Sequence, residues 1–242
     1  HTTYTAPGSS TPEDSRSVGL LDSFNQYASV TDPEGVRQAY ADSVQYLSER
    51  YEEIFDTLRD EFDLVITLSD HGEHLGESGR WNHVFGLRPE LVRVPLVIWR
   101  PDEETRVRDE VVSLVDVYQT ICDSAGVAPR EGARGTSLLG EVESREFLTE
   151  YHGLMPGVSG TLADNGASAD KIEQFEKQRR GIVTSSGDYG RMTLDGFVTQ
   201  TEDEHRLEAR LEELASAVTE REVEAETVDE SVQNRLKDLG YA

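Results

Sequence analysis

The stretch FDLVITLSDHGE, residues 62–73, joins a short apolar run to a polar turn that carries a carboxylate, an imidazole and a glycine. The run at 62–68 is nearly unbroken, which is typical of a strand covered on both faces. Ligands of open α/β sheets collect just beyond the carboxyl ends of strands. Asp70 and His71 lie at that point and can offer one oxygen and one nitrogen to a cation, while Gly72 lets the backbone turn sharply.

The segments around this stretch predict alternating helices and strands. Asp32 is a helix cap followed by Pro33, and apolar residues at steps of three or four then indicate a long amphipathic helix over 33–60. A second apolar run, VPLVIW, ends at residue 99. A helix is predicted at 113–125 and a third strand at 145–151. This order favours a layered α/β domain with a mainly parallel sheet.

The pattern changes after residue 155. Residues 156–170 indicate a loop, and short strands follow around a hairpin turn at Asp195-Gly196. Helices are predicted within the acidic stretch 202–230 and again near the carboxyl end. We therefore expect an α/β core with the metal-site loop over 1–155, and a small acidic α+β subdomain over 156–242 that ends in a helix.

Composition excludes some classes of function. The 242 residues include 23 basic and 48 acidic side chains, so the formal net charge is −25. Such a chain lacks the basic stripe that a general nucleic-acid binder needs. No apolar run approaches the roughly 20 residues that span a bilayer. With only three lysines among the basic residues, the acidity indicates a halophile-like protein of a saline cytoplasm, although a GC-rich genome would also favour arginine.

Further polar side chains near the turn leave several interpretations open. His74 forms an H-x-x-H spacing with His71, which could indicate zinc, but neighbouring glycines disfavour the helix that would align the two rings. Glu73 and Glu77 are interpreted as solvated or supporting side chains rather than an acid/base pair. His83 follows His71 by twelve residues and could bind an anion or donate a proton. The alternative is a capping Asp70 with surface histidines.

Residues 69–101, SDHGEHLGESGRWNHVFGLRPELVRVPLVIWRP, resemble the central signature of the sulfatase family in the alkaline phosphatase superfamily. Those enzymes typically show S-D-[HN]-G-E-x-x-G, a lysine or histidine about a dozen residues later, and then R-V-P-L-I. Further similarity follows in the same order. It lies in HTTY at residues 1–4, VVSLVDVYQTICDSAGV at 111–127, GARGTSLL at 132–139 and NRLKDLGYA at 234–242.

The resemblance implies an alkaline-phosphatase-like layered α/β/α domain, incomplete at the N-terminus, with a small C-terminal antiparallel sheet plus helices. It also implies that Asp70 and His71 are metal ligands, with His71 where many sulfatases have asparagine. His83 and His1 would be catalytic residues that contact the substrate from opposite sides. The metal would be Ca²⁺, with Mg²⁺ or Mn²⁺ as alternatives and Zn²⁺ in some relatives.

The family's nucleophile is missing from this chain. Sulfatases use a formylglycine made within a C/S-x-P/A-x-R motif, and the single cysteine, Cys122, does not lie in one. We interpret Cys122 as a small buried side chain. The chain then corresponds to the carboxyl-terminal portion of a sulfatase-like protein, and the missing N-terminal half is its expected partner. Alone, it should bind metal weakly, turn over nothing and be prone to aggregation.

Three functions follow as hypotheses. The first is a metal-dependent sulfuric ester hydrolase that acts on a small-molecule or carbohydrate sulfate ester. The second is a phosphodiester or phosphonate monoester hydrolase, or a phosphotransferase, of the same superfamily, with which His71 is compatible. The third is a non-catalytic binding module that uses the acidic stretch 202–230. No nucleic-acid partner and no transmembrane segment are expected, and a cytoplasmic location is the default expectation.

Overall fold

A computed structural model of the chain describes Tyr4, Pro7 and residues 32–83, 85–101, 103–154, 157–164 and 167–218. His1 and the helix predicted near the carboxyl end lie outside these residues. The described part contains helices α1 (Pro33–Glu61), α2 (Pro89–Val92), α3 (Val115–Ser124), α4 (Val158–Asp164), α5 (Ala169–Glu176) and α6 (Glu204–Ser216). Its strands are β1 (Val65–Leu68), β2 (His74–Leu75), β3 (Trp81–Asn82), β4 (Leu96–Trp99), β5 (Phe147–Tyr151), β6 (Arg179–Val183), β7 (Tyr189–Thr193) and β8 (Gly196–Thr199).

Helix α1 begins and ends close to the positions that the sequence predicts. The Asp32 side chain accepts a hydrogen bond from the Gly35 amide at 2.9 Å, which satisfies one unpaired donor at the helix start. Val36 and Ala39 are buried near this end. The apolar face farther along is exposed within the described structure, at Val44, Leu47 and Ile54.

Strands β1 and β4 pair antiparallel, with Val65 opposite Trp99 and Leu68 opposite Leu96. The prediction of a mainly parallel sheet is therefore wrong for the described strands. The chain between β1 and β4 forms the β2–β3 hairpin and the short helix α2, and neither is the long crossover helix that usually joins parallel strands. Neither strand is covered on both faces by described residues, since Leu68 and Val97 are exposed.

The second sheet has four strands in the order β5-β6-β7-β8, all antiparallel. Gly196 opens β8 with φ +122° after the hairpin turn, which confirms the predicted hairpin. Strand β5 precedes the predicted boundary at residue 155 and pairs with β6 beyond it, so both predicted parts of the chain contribute to this sheet. The small antiparallel sheet with helices is thus confirmed.

Helix α6 packs on this sheet through its apolar face. Leu207 and Leu211 are buried and lie in one cluster with Ile182 and Phe197. Most of the acidic side chains of α6 are exposed. The leucines that are spaced three or four residues apart within 202–230 therefore form the buried face of a helix, as the sequence predicts.

The predicted loop over 156–170 is wrong, because α4 forms within it and α5 begins at Ala169. Leu162 of α4 is fully buried against Phe85 and Phe175, whose ring centroids lie 4.0 Å apart. Burial of a leucine between two aromatic rings outweighs the weak helix propensity of this glycine- and serine-rich segment.

A buried carboxylate ties the segment after α3 to that helix. Asp116 has no exposed surface and accepts hydrogen bonds from the backbone amides of Ser113 at 2.9 Å and Thr136 at 2.8 Å. It also forms an ion pair with Arg145, just before β5. Gly135 approaches closely enough that a Cβ there would lie 2.2 Å from the Val115 carbonyl oxygen. The carboxylate thus holds three segments together.

None of the helices in the described residues is both long and apolar enough to cross a membrane. This agrees with the absence of a long apolar run in the sequence.

Candidate active site

The polar turn that follows β1 is held by its own side chains. The Ser69 hydroxyl donates to the His71 carbonyl at 2.6 Å, and the Asp70 carboxylate accepts from the His71 amide at 3.0 Å. These bonds satisfy backbone groups that leave the β1–β4 ladder. The turn therefore presents Asp70 and His71 side by side at the end of the strand.

Helix α2 closes over the turn at Gly72. The Gly72 amide donates to the Leu91 carbonyl at 2.8 Å, and the Glu73 amide donates to the Glu90 carbonyl at 3.1 Å. A Cβ at Gly72 would lie 1.9 Å from the Glu90 carbonyl oxygen, so only glycine fits there. The glycine's role is close approach of two backbone segments.

The structure brings His71 and His83 together. Their rings stack with centroids 4.1 Å apart and an interplanar angle of 25°. His83 follows β3, the second strand of the short hairpin that His74 begins, and this hairpin returns the chain to the turn. Two of the predicted site residues, twelve positions apart, thus share one location beside Asp70.

Glu73 holds the other side of the His83 ring. The Nδ1 atom of His83 lies 3.0 Å from Oε2 of Glu73, whose side chain is only 12% exposed. Because a carboxylate can only accept, Nδ1 is the donor at neutral pH. Burial and the nearby charge of Glu73 raise the pKa of both Tyr4 and Tyr40, which therefore remain protonated. Glu73 is thus a supporting residue, one of the two roles that the sequence left open.

The Asp70–His71 pair has the chemistry of a half metal site. His71 Nε2 lies 3.7 Å from Oδ1 of Asp70, and Asp70 is 71% exposed. The Nδ1 atom of His71 donates to the Gly72 carbonyl at 2.8 Å, so the neutral ring carries its lone pair on Nε2. A backbone carbonyl that orients the imidazole in this way is characteristic of metal-ligating histidines. One nitrogen and one carboxylate oxygen therefore fit a shared divalent cation.

The described residues do not complete a metal site. Among them, no group of three or more histidine, cysteine, aspartate or glutamate side chains is arranged to hold a metal ion. His1 lies outside them. Cys122 is buried in α3, which confirms its interpretation as a small buried side chain.

His74 is removed from the pair formed by Asp70 and His71. Its side chain is 2% exposed, and neither ring nitrogen has a hydrogen-bond partner among the described residues. Burial lowers the pKa of His74 to about 4, opposed by the charge of Glu90 and assisted by Arg80 and Arg88. The ring is therefore neutral at pH 7.

This buried ring predicts a pH dependence of stability. Above pH 6.5 His74 is neutral in both states and contributes nothing. As the pH falls from about 6.5 to about 4, the unfolded chain binds a proton that the folded chain does not, so the free energy of unfolding falls by about 1 kcal/mol per pH unit. When the free energy of unfolding is measured in urea at several pH values, His74→Leu should lack this part of the pH dependence. His205→Leu, at an exposed position of α6, should keep it, and equal slopes in all three proteins would contradict the prediction.

Comparisons with known proteins identify the family of the chain. The sequence profile of the Sulfatase family matches residues 5–127, just over half of the chain. A choline-sulfatase of Rhizobium meliloti is 34% identical over 99 residues, which cover 39% of this chain and 19% of that protein. The similarity therefore falls on the part of the chain that carries the turn after β1.

Solved structures show the same fold. A phosphonate monoester hydrolase of Agrobacterium radiobacter superposes with a TM-score of 0.55 at 19% identity, over 86% of this chain and 40% of that chain. A putative sulfatase of Bacteroides thetaiotaomicron gives a TM-score of 0.59 at 14% identity, over 79% of this chain and 44% of that chain. The expected alkaline-phosphatase-like fold is confirmed, and this chain spans less than half of each of these proteins.

Proposed function

This chain belongs to the sulfatase family, and from that premise we propose that it carries the metal-binding turn and the leaving-group side of an enzyme that hydrolyses sulfate esters. The observation that carries the proposal is the stack of the His71 and His83 rings at 4.1 Å beside Asp70. A cation ligand and a proton donor must lie close together to act on one ester group.

Asp70 and His71 would hold the cation, with Ca²⁺ as the first candidate and Mg²⁺ or Mn²⁺ as alternatives. Asp70 supplies an exposed carboxylate, and the Gly72 carbonyl orients His71 through Nδ1. When bound, such an ion polarises the non-bridging oxygens of the ester and stabilises the charge that builds on them. The remaining ligands and a formylglycine nucleophile would come from a part of the protein that precedes these residues.

His83 would act on the departing alcohol. Its Nδ1 is engaged by Glu73 at 3.0 Å, so Nε2 is the atom with which the ring can hold or release a proton. Donation from Nε2 to the leaving oxygen, or a hydrogen bond to a sulfate oxygen, would stabilise charge in the transition state. Glu73 would orient the ring and stabilise its charged form, as a carboxylate does behind a catalytic histidine. His1 would contact the substrate from the other side.

The second candidate is hydrolysis or transfer of a phosphate or phosphonate ester. It is favoured by the imidazole of His71, because a nitrogen ligand suits Mn²⁺ or Zn²⁺ better than Ca²⁺. Fold similarity to a phosphonate monoester hydrolase is compatible with it. A preference for Mn²⁺ over Ca²⁺ in direct binding would favour this candidate, and the reverse would favour sulfate esters.

A calorimetric titration with Ca²⁺ and Mn²⁺ tests the ligand assignment. We expect weak binding by the chain and at least tenfold weaker binding by Asp70→Ala, because one of its two proposed ligands is lost. Asp63→Ala removes an exposed carboxylate close to β1 and should leave the affinity within twofold. Equal affinities in the three proteins would show that the ion binds elsewhere.

Hydrolysis provides a second readout. The purified 242-residue chain should not hydrolyse an aryl sulfate, because its nucleophile is proposed to lie elsewhere. Turnover that survives purification and is lost in Asp70→Ala would contradict this division of the active site.

A further inference from the structure

Four guanidinium groups gather where the β2–β3 hairpin and α2 meet the four-stranded sheet. Arg80 precedes β3, Arg88 precedes α2, Arg179 opens β6 and Arg191 lies in β7. Burial lowers the pKa of Arg80, and the positive charges of Arg88, Arg191 and Arg179 lower it further. The pKa of Arg191 is lowered in the same way, by burial and by its arginine neighbours. Nη1 of Arg80 lies 4.0 Å from the position of a Cβ at Gly86, two residues before Arg88. Arg191 pairs with Gly181, which lies on the same face of β6 as Arg179. The four cations therefore lie at one interface, within reach of one another's charge.

The surrounding backbone fixes this cluster in place. The buried Tyr189 hydroxyl donates to the Leu87 carbonyl at 2.6 Å, which joins β7 to the segment just before Arg88. The guanidinium of Arg80 lies over the ring of Phe85, 5.4 Å from its centroid. These contacts position Arg80 and the segment that carries Arg88 in the absence of a ligand.

The described residues do not neutralise the cluster. The carboxylate of Glu90 lies 3.4 Å from Nε of Arg88, but Nε has no hydrogen bond of acceptable geometry. Arg179 donates to the Gln174 carbonyl at 2.8 Å. Arg88 donates to the Ser78 hydroxyl at 3.1 Å. The guanidinium groups of Arg80 and Arg191 form no hydrogen bond or ion pair within the described part of the chain. Among the described residues, Glu90 is therefore the only carboxylate that pairs with any of the four arginines.

Arg80 and Arg191 are half-buried cations without an acceptor among the described residues, so they carry a desolvation cost, and the positive charges of the cluster repel one another. An oxyanion removes both penalties, since guanidinium groups donate paired hydrogen bonds to sulfate or phosphate oxygens. We propose that Arg80, Arg88, Arg179 and Arg191 form a binding site for a sulfate or phosphate group, separate from Asp70 and His71. The site requires no metal and does not depend on the proposed catalytic function.

A cleft beside Arg179 provides room for a larger molecule. It has a volume of about 390 Å³ and is lined by Arg179, Lys177 and Met192. The bound group could therefore be a free ion or a substituent on a sugar-sized molecule. In the second case the flat face of Tyr151, which also lines the cleft, would lie against the ring.

Titration calorimetry on the full chain tests the site, with sulfate or phosphate added at constant ionic strength against chloride. We expect binding by the wild type and at least tenfold weaker binding by the double variant Arg80→Gln with Arg191→Gln, because loss of charged hydrogen bonds costs about 1.4 kcal/mol or more. Arg106→Gln removes one exposed arginine and should bind as the wild type does. Absence of wild-type binding, or equal binding in the double variant, would overturn the proposal.

Two further variants separate this site from its alternatives. Asp70→Ala should bind sulfate as the wild type does. If Asp70→Ala loses sulfate binding and the arginine double variant keeps it, the ion binds at Asp70 and His83 instead. If the glutamine variant fails to fold, Arg80→Lys with Arg191→Lys keeps the charge and should still weaken binding. A titration with glucose 6-sulfate in place of inorganic sulfate shows which form of the anion the site prefers. Tighter binding of glucose 6-sulfate indicates a site for a sulfate group on a sugar, and equal binding indicates a site for the free oxyanion.

Discussion

Replacement of Gly72 by alanine is expected to lower the free energy of unfolding by about 3 kcal/mol, the upper part of the range for overpacked sites. The added Cβ would lie 1.9 Å from the Glu90 carbonyl oxygen, far inside contact distance. Relief requires the turn to move away from α2, which breaks the bonds from the Gly72 and Glu73 amides. The same movement displaces Asp70 and His71, so Ca²⁺ or Mn²⁺ binding should be lost as well.

Urea unfolding and metal titration of the same variant measure both effects. Gly140→Ala is the matched control, because a Cβ there would meet no atom within 4 Å. We expect the control to change stability by no more than about 0.5 kcal/mol. If Gly72→Ala has wild-type stability and wild-type metal affinity, the close approach of α2 is not what shapes the turn.

Asp116→Ala is expected to lower the free energy of unfolding by about 3 to 5 kcal/mol. The change leaves Arg145 without its carboxylate and leaves the amides of Ser113 and Thr136 without an acceptor. Unpaired buried donors carry the full cost of desolvation. The attachment of the 134–138 segment to α3 should also weaken, because Asp116 holds it at Thr136 and only the bonds of Ser137 to Asp123 and of Leu138 to Thr120 remain.

Chemical denaturation monitored by the fluorescence of Trp81 and Trp99 measures this loss. Asp123→Ala is the control on the same helix, since Asp123 is exposed and accepts a single hydrogen bond, from the Ser137 hydroxyl at 2.6 Å. Its expected cost is about 0.5 kcal/mol. A loss of similar size in both variants would show that Asp116 has no special structural role.

Local patterns in the sequence predict most of the elements, because caps, turns and periodicity act over a few residues. Asp32 and the apolar spacing after it predict α1, and Asp195-Gly196 predicts the β7–β8 hairpin. The direction of β1 against β4 does not follow from such patterns. An apolar run indicates a strand but does not identify its neighbour, and the antiparallel pairing depends on how the 27-residue connection folds. Helix α4 is also not predicted by its own sequence, because its formation depends on the packing of Leu162 against the rings of Phe85 and Phe175.

The residues of the candidate site also differ in whether the sequence predicts them. Asp70, His71 and His83 can be selected from the sequence because they belong to one short signature. The supporting role of Glu73 does not follow from the sequence, since it depends on the contact with His83 and on the neighbouring Tyr4 and Tyr40, which lie far away along the chain. The arginine cluster is drawn from four separate segments and has no sequence signature at all. Residues that act through packing therefore become visible only in the folded chain.

Paramagnetic line broadening by Mn²⁺ tests the central claim most directly, namely that Asp70 and His71 bind one cation next to the ring of His83. In proton NMR of the chain, substoichiometric Mn²⁺ should broaden the ring signals of His71 and His83 first, while those of His152 and His205 remain sharp. Asp70→Ala should abolish this selectivity. If the four histidines broaden equally, or His71 and His83 stay sharp while Mn²⁺ binds, Asp70 and His71 do not bind the ion beside His83.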